Sequence, residues 1–260
     1  MPSVCFYFQV HQPFRIKHYS VFDIGKDHFY EDGEKNKWIM DKVSEKCYLP
    51  ANKKMLELIK RHKGKFRISY SLSGTVIEQM ELFRPDVLQS FVELAKTGCV
   101  EFLSETYFHS LSFLYKKEEF ERQVKEHDQK IEQYFKQKPT VFRNTELIYN
   151  NELAAYIEKL GYKGILCEGV DRLLKEKHPN HLLKPTGTKS IKALLKNYRL
   201  SDDIAFRFSD KNWSEWPLHA DTFASWVHKV AGNGDVINLF MDYETFGEQQ
   251  LESTDILDVM

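Results

Sequence analysis

The sequence predicts an α/β fold, a (β/α)7 barrel with an incomplete TIM-barrel-like architecture. Short apolar runs alternate with amphipathic helical patterns seven times, and this alternation is typical of βαβ units with a mostly parallel sheet. Seven strands could also form an open doubly wound sheet. A barrel is favoured because the first strand is not followed by the GxGxxG turn of a dinucleotide-binding open sheet.

Seven segments carry the strand pattern of β-branched and aromatic residues bounded by turn residues. In chain order they are 3–10, 66–72, 99–103, 140–146, 164–168, 193–200 and the run that begins at Val236. The last run is continuously apolar, as expected for a strand that is buried on both faces.

Helical patterns separate these strands. They lie near 51–63, 74–82, 84–97, 116–136, 150–161 and 220–231, with a short helix or turn at 201–208. Pro50 introduces the first helix and Pro85 stands in the first turn of the third, while Gly98 lies just past the end of the third. Asn150 is suited to an N-cap. Residues 14–50 read as irregular, and a loop of that length is often functional.

The composition excludes several classes of partner. The 260 residues carry a formal net charge of −1, which does not favour nucleic-acid binding. No apolar stretch approaches ~18 residues, so no membrane partner is expected, and the N-terminus lacks the pattern of a signal peptide. The four cysteines form no CxxC pair, and reduced thiols predict a cytoplasmic protein. The oligomeric state stays open.

A buried-strand pattern that ends in two carboxylates marks the candidate site. The apolar run leads directly into Asp242-Tyr243-Glu244-Thr245-Phe246-Gly247. Residues at the carboxyl ends of parallel strands are the ones that meet a ligand. Asp242 and Glu244 are two residues apart, so on a strand their side chains would point to the same face.

Three other predicted strands also end in polar residues. His11 and Gln12 follow the first strand, 101–109 follows the third, and Glu146 follows the fourth. In a barrel all of them converge on one mouth. Carboxylates that converge with histidines, without a metal-spaced His/Cys set, suit general acid–base and nucleophilic chemistry. Two carboxylates on opposite sides of a sugar can cleave a glycosidic bond, although spacing does not tell nucleophile from acid.

Four segments, in order, resemble the first four motifs of glycoside hydrolase family 57. They are Val10-His11-Gln12-Pro13, Gly98-Cys99-Val100-Glu101, Phe142-Arg143-Asn144-Thr145-Glu146-Leu147 and the Asp242 to Gly247 segment. The resemblance spans essentially the whole chain and is greatest with the α-amylase-like members. It implies a (β/α)7 barrel that cleaves α-1,4-glucosidic bonds of an α-glucan by the retaining mechanism, with no metal and no cofactor.

The same resemblance implies the roles of individual residues. It assigns Glu146 as the nucleophile and Asp242 as the general acid/base. The residues it places around the sugar are His11, Gln12, Glu101, His109, Arg143, Trp213, Trp216 and Glu244. A structural role competes for Gln12 and Arg143, and core packing competes for the two tryptophans.

One catalytic barrel is expected over residues 1–250, with 251–260 as the start of a C-terminal helical segment. Ser253 or Thr254 would cap that segment, and apolar residues from Ile256 onward would face the barrel. Full-length members of the family continue into a helical segment that contributes a fifth motif. The helical segment is therefore expected to stop short at Met260, either because the sequence is a piece of a longer protein or because the protein itself is short, and the activity of these 260 residues alone stays open.

Several alternatives remain at this stage. Within the family, a 4-α-glucanotransferase or a branching enzyme differs from an amylase in whether water or a sugar hydroxyl resolves the glycosyl-enzyme. A metal-dependent polysaccharide deacetylase would need an Asp pair and two histidines at helical spacing, and the sequence contains no HxxxH. A non-catalytic carbohydrate-binding protein is the third alternative.

Overall fold

Seven parallel strands alternate with helices in the computed structural model, which describes residues 2–175, 177–254 and 256–259. The strands are β1 Ser3–Val10, β2 Ile68–Leu72, β3 Val100–Phe102, β4 Val141–Arg143, β5 Gly164–Cys167, β6 Lys192–Leu195 and β7 Val236–Asp242. A separate two-stranded pair is formed by β8 Phe246–Gly247 and β9 Gln250–Leu251.

The strands form two parallel sheets that meet at two seams. Their orders are β3-β2-β1-β7 and β4-β5-β6. A bridge between Ser104 and Phe142 joins the end of β3 to β4, and a bridge between Lys196 and Asn238 joins the end of β6 to β7. At the second seam the Asn197 amide also donates to the Asn238 carbonyl at 2.8 Å. The predicted α/β fold is confirmed as a barrel-like arrangement of seven β/α units, with single bridges rather than continuous ladders at the seams.

The helices cover the outside of the strands. They are α1 Gly33–Val43, α2 Leu49–Arg61, α3 Gly74–Phe83, α4 Pro85–Lys96, α5 Lys117–Phe135, α6 Asn151–Lys159, α7 Asp171–Leu174, α8 Tyr198–Asp202, α9 Ala220–His228 and α10 Ile256–Val259. The α6 helix starts where the sequence predicts, because the Asn150 side chain accepts a hydrogen bond from the Leu153 amide at 2.7 Å. The α4 helix begins at Pro85, also as predicted.

Two stretches differ from the sequence prediction. Residues 33–48 belong to α1 and a π-helical turn that runs into α2, rather than to an irregular loop. Charged residues dominate this stretch, so only a narrow buried stripe that includes Met40 and Val43 marks the helix. The sixth strand ends at Leu195 because the Asn197 side chain caps α8, accepting from the Leu200 amide at 3.2 Å.

The interior between the strands is filled by large side chains that form the floor of the mouth. Tyr7, Leu103, Leu147, Leu166 and Phe240 form one buried cluster there. The rings of Tyr7 and Phe240 meet edge to face with centroids 5.4 Å apart. The space inside the strands below the mouth is therefore filled by packed side chains, and the carboxylates and histidines of the site lie beyond this cluster, at the carboxyl ends.

Truncation of a fully buried strand residue should destabilise the protein strongly. Leu239 in β7 has no exposed surface, whereas Leu82 in α3 is 67% exposed. We expect Leu239→Ala to lower the free energy of unfolding by about 2–5 kcal/mol, because it leaves a cavity in the core. The matched control Leu82→Ala should change it by less than about 0.5 kcal/mol. Urea denaturation measures both, and equal effects of the two substitutions would contradict this packing.

Candidate active site

Polar side chains from β1, β3, β4 and β7 meet at the carboxyl-terminal mouth. A cavity of about 170 Å³ opens there, and Glu146 and Asp242 both line it. Arg143 and Gln9 contribute to the same wall, with Tyr7 at the floor. Larger grooves occur elsewhere on the surface, but the convergence of carboxylates with histidines makes this cavity the candidate active site.

Glu146 lies in a single 3-10 turn, Thr145–Leu147, directly after β4. Its φ of 54° is in the left-handed region, which costs a non-glycine residue of order 1–3 kcal/mol and is common at functional sites. The side chain is 72% exposed, and its Oε1 accepts a hydrogen bond from His109 Nε2 at 3.0 Å. This bond, together with the charge of Arg143, outweighs the effect of burial and lowers the pKa of Glu146.

Glu105 is a carboxylate with no exposed surface. Gln9 Nε2 donates to its Oε1 at 3.1 Å, and His109 Nδ1 lies 3.1 Å from its Oε2. Arg143 Nη1 lies 4.0 Å from the same Oε2. Burial acts to raise the pKa of Glu105, but the hydrogen bond and charge of His109 and the charge of Arg143 outweigh it and lower the pKa to about 2.

His11 stacks on His109, with ring centroids 4.1 Å apart. Its Nδ1 lies 2.7 Å from the Ser73 hydroxyl oxygen. Burial, helped by the charge of His109, lowers the pKa of His11 to about 4. His11 is therefore a neutral imidazole at neutral pH, with a ring nitrogen available for a hydrogen bond to a ligand.

Glu244 does not point to the same face as Asp242. The chain leaves the strand after Asp242 and forms a 3-10 turn, Tyr243–Thr245, so the two-residue period of a strand no longer applies. Asp242 lines the cavity, while Glu244 is buried and accepts hydrogen bonds from the Tyr48 hydroxyl and from Gln12 Nε2, the latter at 3.1 Å. Burial raises the pKa of Glu244 to about 7, and the charge of Asp242 adds to this shift.

Three residues that the resemblance places around the sugar lie away from this cavity. Glu101 is inside β3 and lines a groove near the amino-terminal ends of β1 and β2. Trp213 packs edge to face on Trp226 with ring centroids 6.1 Å apart. Trp216 is 42% exposed, and the Lys211 ammonium lies 5.8 Å from its ring centroid. Of the eight predicted sugar-binding residues, Arg143 lines the cavity itself. His11 and His109 adjoin it next to Glu146, whereas Gln12 and Glu244 bond to each other outside the cavity lining.

Sequence reasoning missed several residues in and around the mouth, among them Glu105, Gln9, Tyr7 and Tyr48. Glu105 lies four residues before His109, inside the segment that was expected to follow the third strand. Gln9 lies two residues before His11, so on β1 it shares the inward face. Tyr7 precedes Gln9 by two residues on β1, so its side chain lies on the same inward face, further from the mouth. Tyr48 carries no local signal, since it reaches Glu244 from the turn between α1 and α2.

Among the residues that the structure describes, no group of three or more His, Cys, Asp or Glu side chains has the arrangement of a metal site. No described helix combines the length and apolarity needed to cross a membrane. All four cysteines are free thiols.

Comparison with known proteins identifies the family. The fold and its carboxylate-lined mouth define a class, that of barrel-like α/β proteins with a site suited to glycoside cleavage. The model of Glycosyl hydrolase family 57 matches residues 5–259, so this chain belongs to glycosyl hydrolase family 57. The predicted family is thereby confirmed.

The chain is also similar to individual members. It is 43% identical over 261 residues to the protein named "Putative alpha-amylase" of Methanocaldococcus jannaschii, an alignment that covers 99% of this chain and 54% of that protein. The chain thus spans about half the length of this curated relative.

Two solved structures share the fold. The 4-alpha-glucanotransferase of Thermococcus litoralis matches with a TM-score of 0.72 at 15% identity, covering 99% of this chain and 37% of that one. A GH57 branching enzyme of Thermococcus kodakaraensis, solved in complex with glucose, matches with a TM-score of 0.71 at 15% identity, covering 98% and 67%. At these identities the likeness concerns the fold alone.

The buried carboxyl of Glu244 predicts a pH dependence of stability. Its pKa of about 7 in the folded protein exceeds the ordinary value of 4.5, so the folded protein keeps a proton that the unfolded chain loses as pH rises between these values. Stability therefore falls with rising pH across this window. A pKa shift contributes about 1.4 kcal/mol per unit. Between pH 4.5 and 7.5 the free energy of unfolding of the wild type should therefore fall by up to about 3 kcal/mol relative to that of Glu244→Gln.

Urea denaturation of both proteins across this pH range measures the difference. Glu57→Gln, on the exposed side of α2, serves as the control and should follow the wild type. Parallel stability curves for the wild type and Glu244→Gln would show that Glu244 is not held protonated.

Proposed function

We propose that this chain carries the catalytic barrel of a retaining α-glucan-active glycoside hydrolase that cleaves α-1,4-glucosidic bonds. Glu146 is the nucleophile and Asp242 is the general acid/base. One observation carries the proposal: the two carboxylates line a single cavity from β4 and β7. Around the ring of seven strands, β4 and β7 are separated by β5 and β6 on one side and by β1, β2 and β3 on the other. The two side chains therefore approach a bound sugar from different sides.

The reaction proceeds in two steps. The Glu146 carboxylate attacks the anomeric carbon, the bond to the leaving oxygen breaks, and that oxygen takes the bond's electron pair and a proton from Asp242. In the second step a water molecule attacks the anomeric carbon. Asp242, now a carboxylate, removes a proton from this water, and Glu146 leaves as a carboxylate. Two inversions at the same carbon restore the original anomeric configuration.

The surroundings of Glu146 support the nucleophilic role. A nucleophilic carboxylate must be ionised, and the hydrogen bond from His109 together with the Arg143 charge lowers its pKa. The left-handed backbone conformation of Glu146, with a φ of 54°, sets the direction in which its side chain leaves the backbone. A pre-oriented nucleophile avoids part of the entropic cost of reaching the reactive geometry.

Other residues of the mouth suit contacts to sugar hydroxyls and rings. Arg143 lines the cavity and places a positive charge beside Glu146, which suits a contact to a sugar hydroxyl. Glu168 and Lys196 also line the cavity. Phe206, which lines the same cavity and is 67% exposed, offers a stacking face in place of the two predicted tryptophans.

The substrate and the compartment are part of the proposal. The partner is an α-glucan oligosaccharide or polysaccharide, as the family membership suggests. A cytoplasmic location is supported by the four free thiols, since a reducing compartment keeps cysteines unpaired.

Two substitutions separate the two catalytic roles. With α-maltosyl fluoride as substrate, Glu146→Ala should lower turnover by about 10³-fold or more, because the covalent intermediate cannot form. Added azide should then give the β-glycosyl azide by a single inversion. Asp242→Ala should still form the glycosyl-enzyme, since fluoride leaves without a proton, and azide should give the α-glycosyl azide. Products identified by NMR distinguish the two anomers.

The control and the contradicting outcomes are equally direct. Glu57→Gln should keep wild-type turnover. Wild-type turnover in both alanine variants would refute the assignment, and binding of maltoheptaose without any cleavage by the wild type would favour a non-catalytic carbohydrate-binding protein. Products longer than maltoheptaose would show that a sugar hydroxyl replaces water, as in a 4-α-glucanotransferase or a branching enzyme.

A further inference from the structure

His109 lies between two carboxylates. Its Nδ1 is 3.1 Å from Glu105 Oε2, and its Nε2 is 3.0 Å from Glu146 Oε1. An ionised carboxylate only accepts hydrogen bonds, and a neutral imidazole carries a proton on only one of its nitrogens. With both carboxylates ionised, both contacts are hydrogen bonds only if His109 carries two ring protons.

The surroundings of Glu105 favour its ionised form. The side chain has no exposed surface, and an unpaired charge there would be costly. Gln9 Nε2 donates to one of its oxygens, and the other oxygen lies 3.1 Å from His109 Nδ1. The Arg143 guanidinium, at 4.0 Å, adds a positive charge. The pKa of Glu105, about 2, is consistent with this geometry.

The groups that face His109 come from three segments. Glu105 precedes it in its own segment, His11 stacks on it from the end of β1, and Arg143 and Glu146 approach from β4. Arg143 Nη1 lies 3.5 Å from His109 Nδ1 and disfavours the cation, while the two carboxylates favour it. Burial also acts to lower the pKa of His109, but the hydrogen bond and charge of Glu105 outweigh burial and Arg143, so this pKa lies above its ordinary value.

The backbone gives a second, independent indication of a fixed geometry. His109 and Glu146 both have positive φ, 52° and 54°. Such conformations persist in non-glycine residues where surrounding contacts hold them. The two ends of the His109–Glu146 hydrogen bond are thus both set by the backbone as well as by side-chain contacts.

We propose that Glu105 is a positioning residue that keeps His109 as an imidazolium, and that this imidazolium holds Oε1 of Glu146 so that Oε2 attacks the sugar. Among the described residues, no hydrogen bond to Oε2 of Glu146 occurs. The kinetic consequences rest on the proposed glycosidase function, whereas the protonation state of His109 is independent of that function.

Formation of the glycosyl-enzyme explains why a second carboxylate is needed. When Glu146 becomes an ester it loses its charge, and the imidazolium loses one of its two counter-ions. Glu105 remains as the buried partner, so His109 keeps both protons until Glu146 is released. Glu105 therefore acts through His109 and never touches the substrate.

The first test is Glu105→Gln, an isosteric change that removes the charge. Without the carboxylate the pKa of His109 falls, so the imidazolium is lost at lower pH. We expect kcat to fall about 10–100-fold at pH 7 with KM changed less than about threefold, because the interaction acts mainly in the chemical step. The basic limb of the kcat–pH profile should move to lower pH by about one unit. Glu105→Asp should recover part of that shift, and Glu57→Gln should leave the profile unchanged.

A purely structural role predicts a different result. It would lower kcat by the same factor at every pH and leave the basic limb in place, and that outcome would overturn the proposal. If Glu105→Gln does not fold, the wild type alone remains decisive through its own histidine spectrum.

The second test reads the protonation of His109 directly. In ¹⁵N spectra of histidine-labelled wild type, the resonances absent from His109→Gln belong to this ring. We expect both ring nitrogens to be protonated at pH 7. A single protonated nitrogen at pH 7 would overturn the proposal. An inactive wild type with a doubly protonated His109 would instead refute the proposed function and leave the ion arrangement intact.

Discussion

The arrangement of the mouth depends on one buried charge, the carboxylate of Glu105. A carboxylate without solvent contact must be compensated by donors and cations, and here Gln9, His109 and Arg143 supply them. Each of these partners belongs to a different strand or its extension, so the compensation also ties β1, β3 and β4 together at their carboxyl ends. His109 in turn contacts Glu146 through its Nε2 atom, so the position of Glu146 depends on the same cluster.

The direction of the strands provides the frame for this cluster. All seven are parallel, and the seam bridges place β4 beside β3 and β6 beside β7. Side chains that follow the strands therefore gather at one end, above the apolar floor around Tyr7 and Phe240. The floor excludes water from below, which strengthens the electrostatic interactions between the groups above it.

Much of the fold and part of the site follow from local sequence patterns. The alternation of strands and helices is a periodic signal, and His11, Glu146 and Asp242 directly follow predicted strands. The α1 helix was missed because its surface is highly charged and its buried stripe is narrow. Glu101 and Glu105 both belong to the third strand's segment, and only the observed end of β3 at Phe102 shows which of them reaches the mouth.

Long-range contacts account for the rest. The Tyr48 hydroxyl meets Glu244 across nearly 200 residues, and no periodicity reports such a pair. The burial of Glu244 depends on a turn that begins one residue after Asp242, whereas strand geometry would have exposed both carboxylates equally. The roles of Trp213 and Trp216 could not be assigned from sequence either, because core packing and ligand stacking select the same residue type.

Covalent trapping tests the central claim most directly. A 5-fluoro-maltosyl fluoride reacts with the nucleophile of a retaining α-glucosidic enzyme and slows release of the resulting ester, so the labelled peptide can be identified by mass spectrometry. We expect a single 5-fluoro-maltosyl adduct on the carboxyl of Glu146. An adduct on Asp242, Glu105 or any other carboxylate would contradict it.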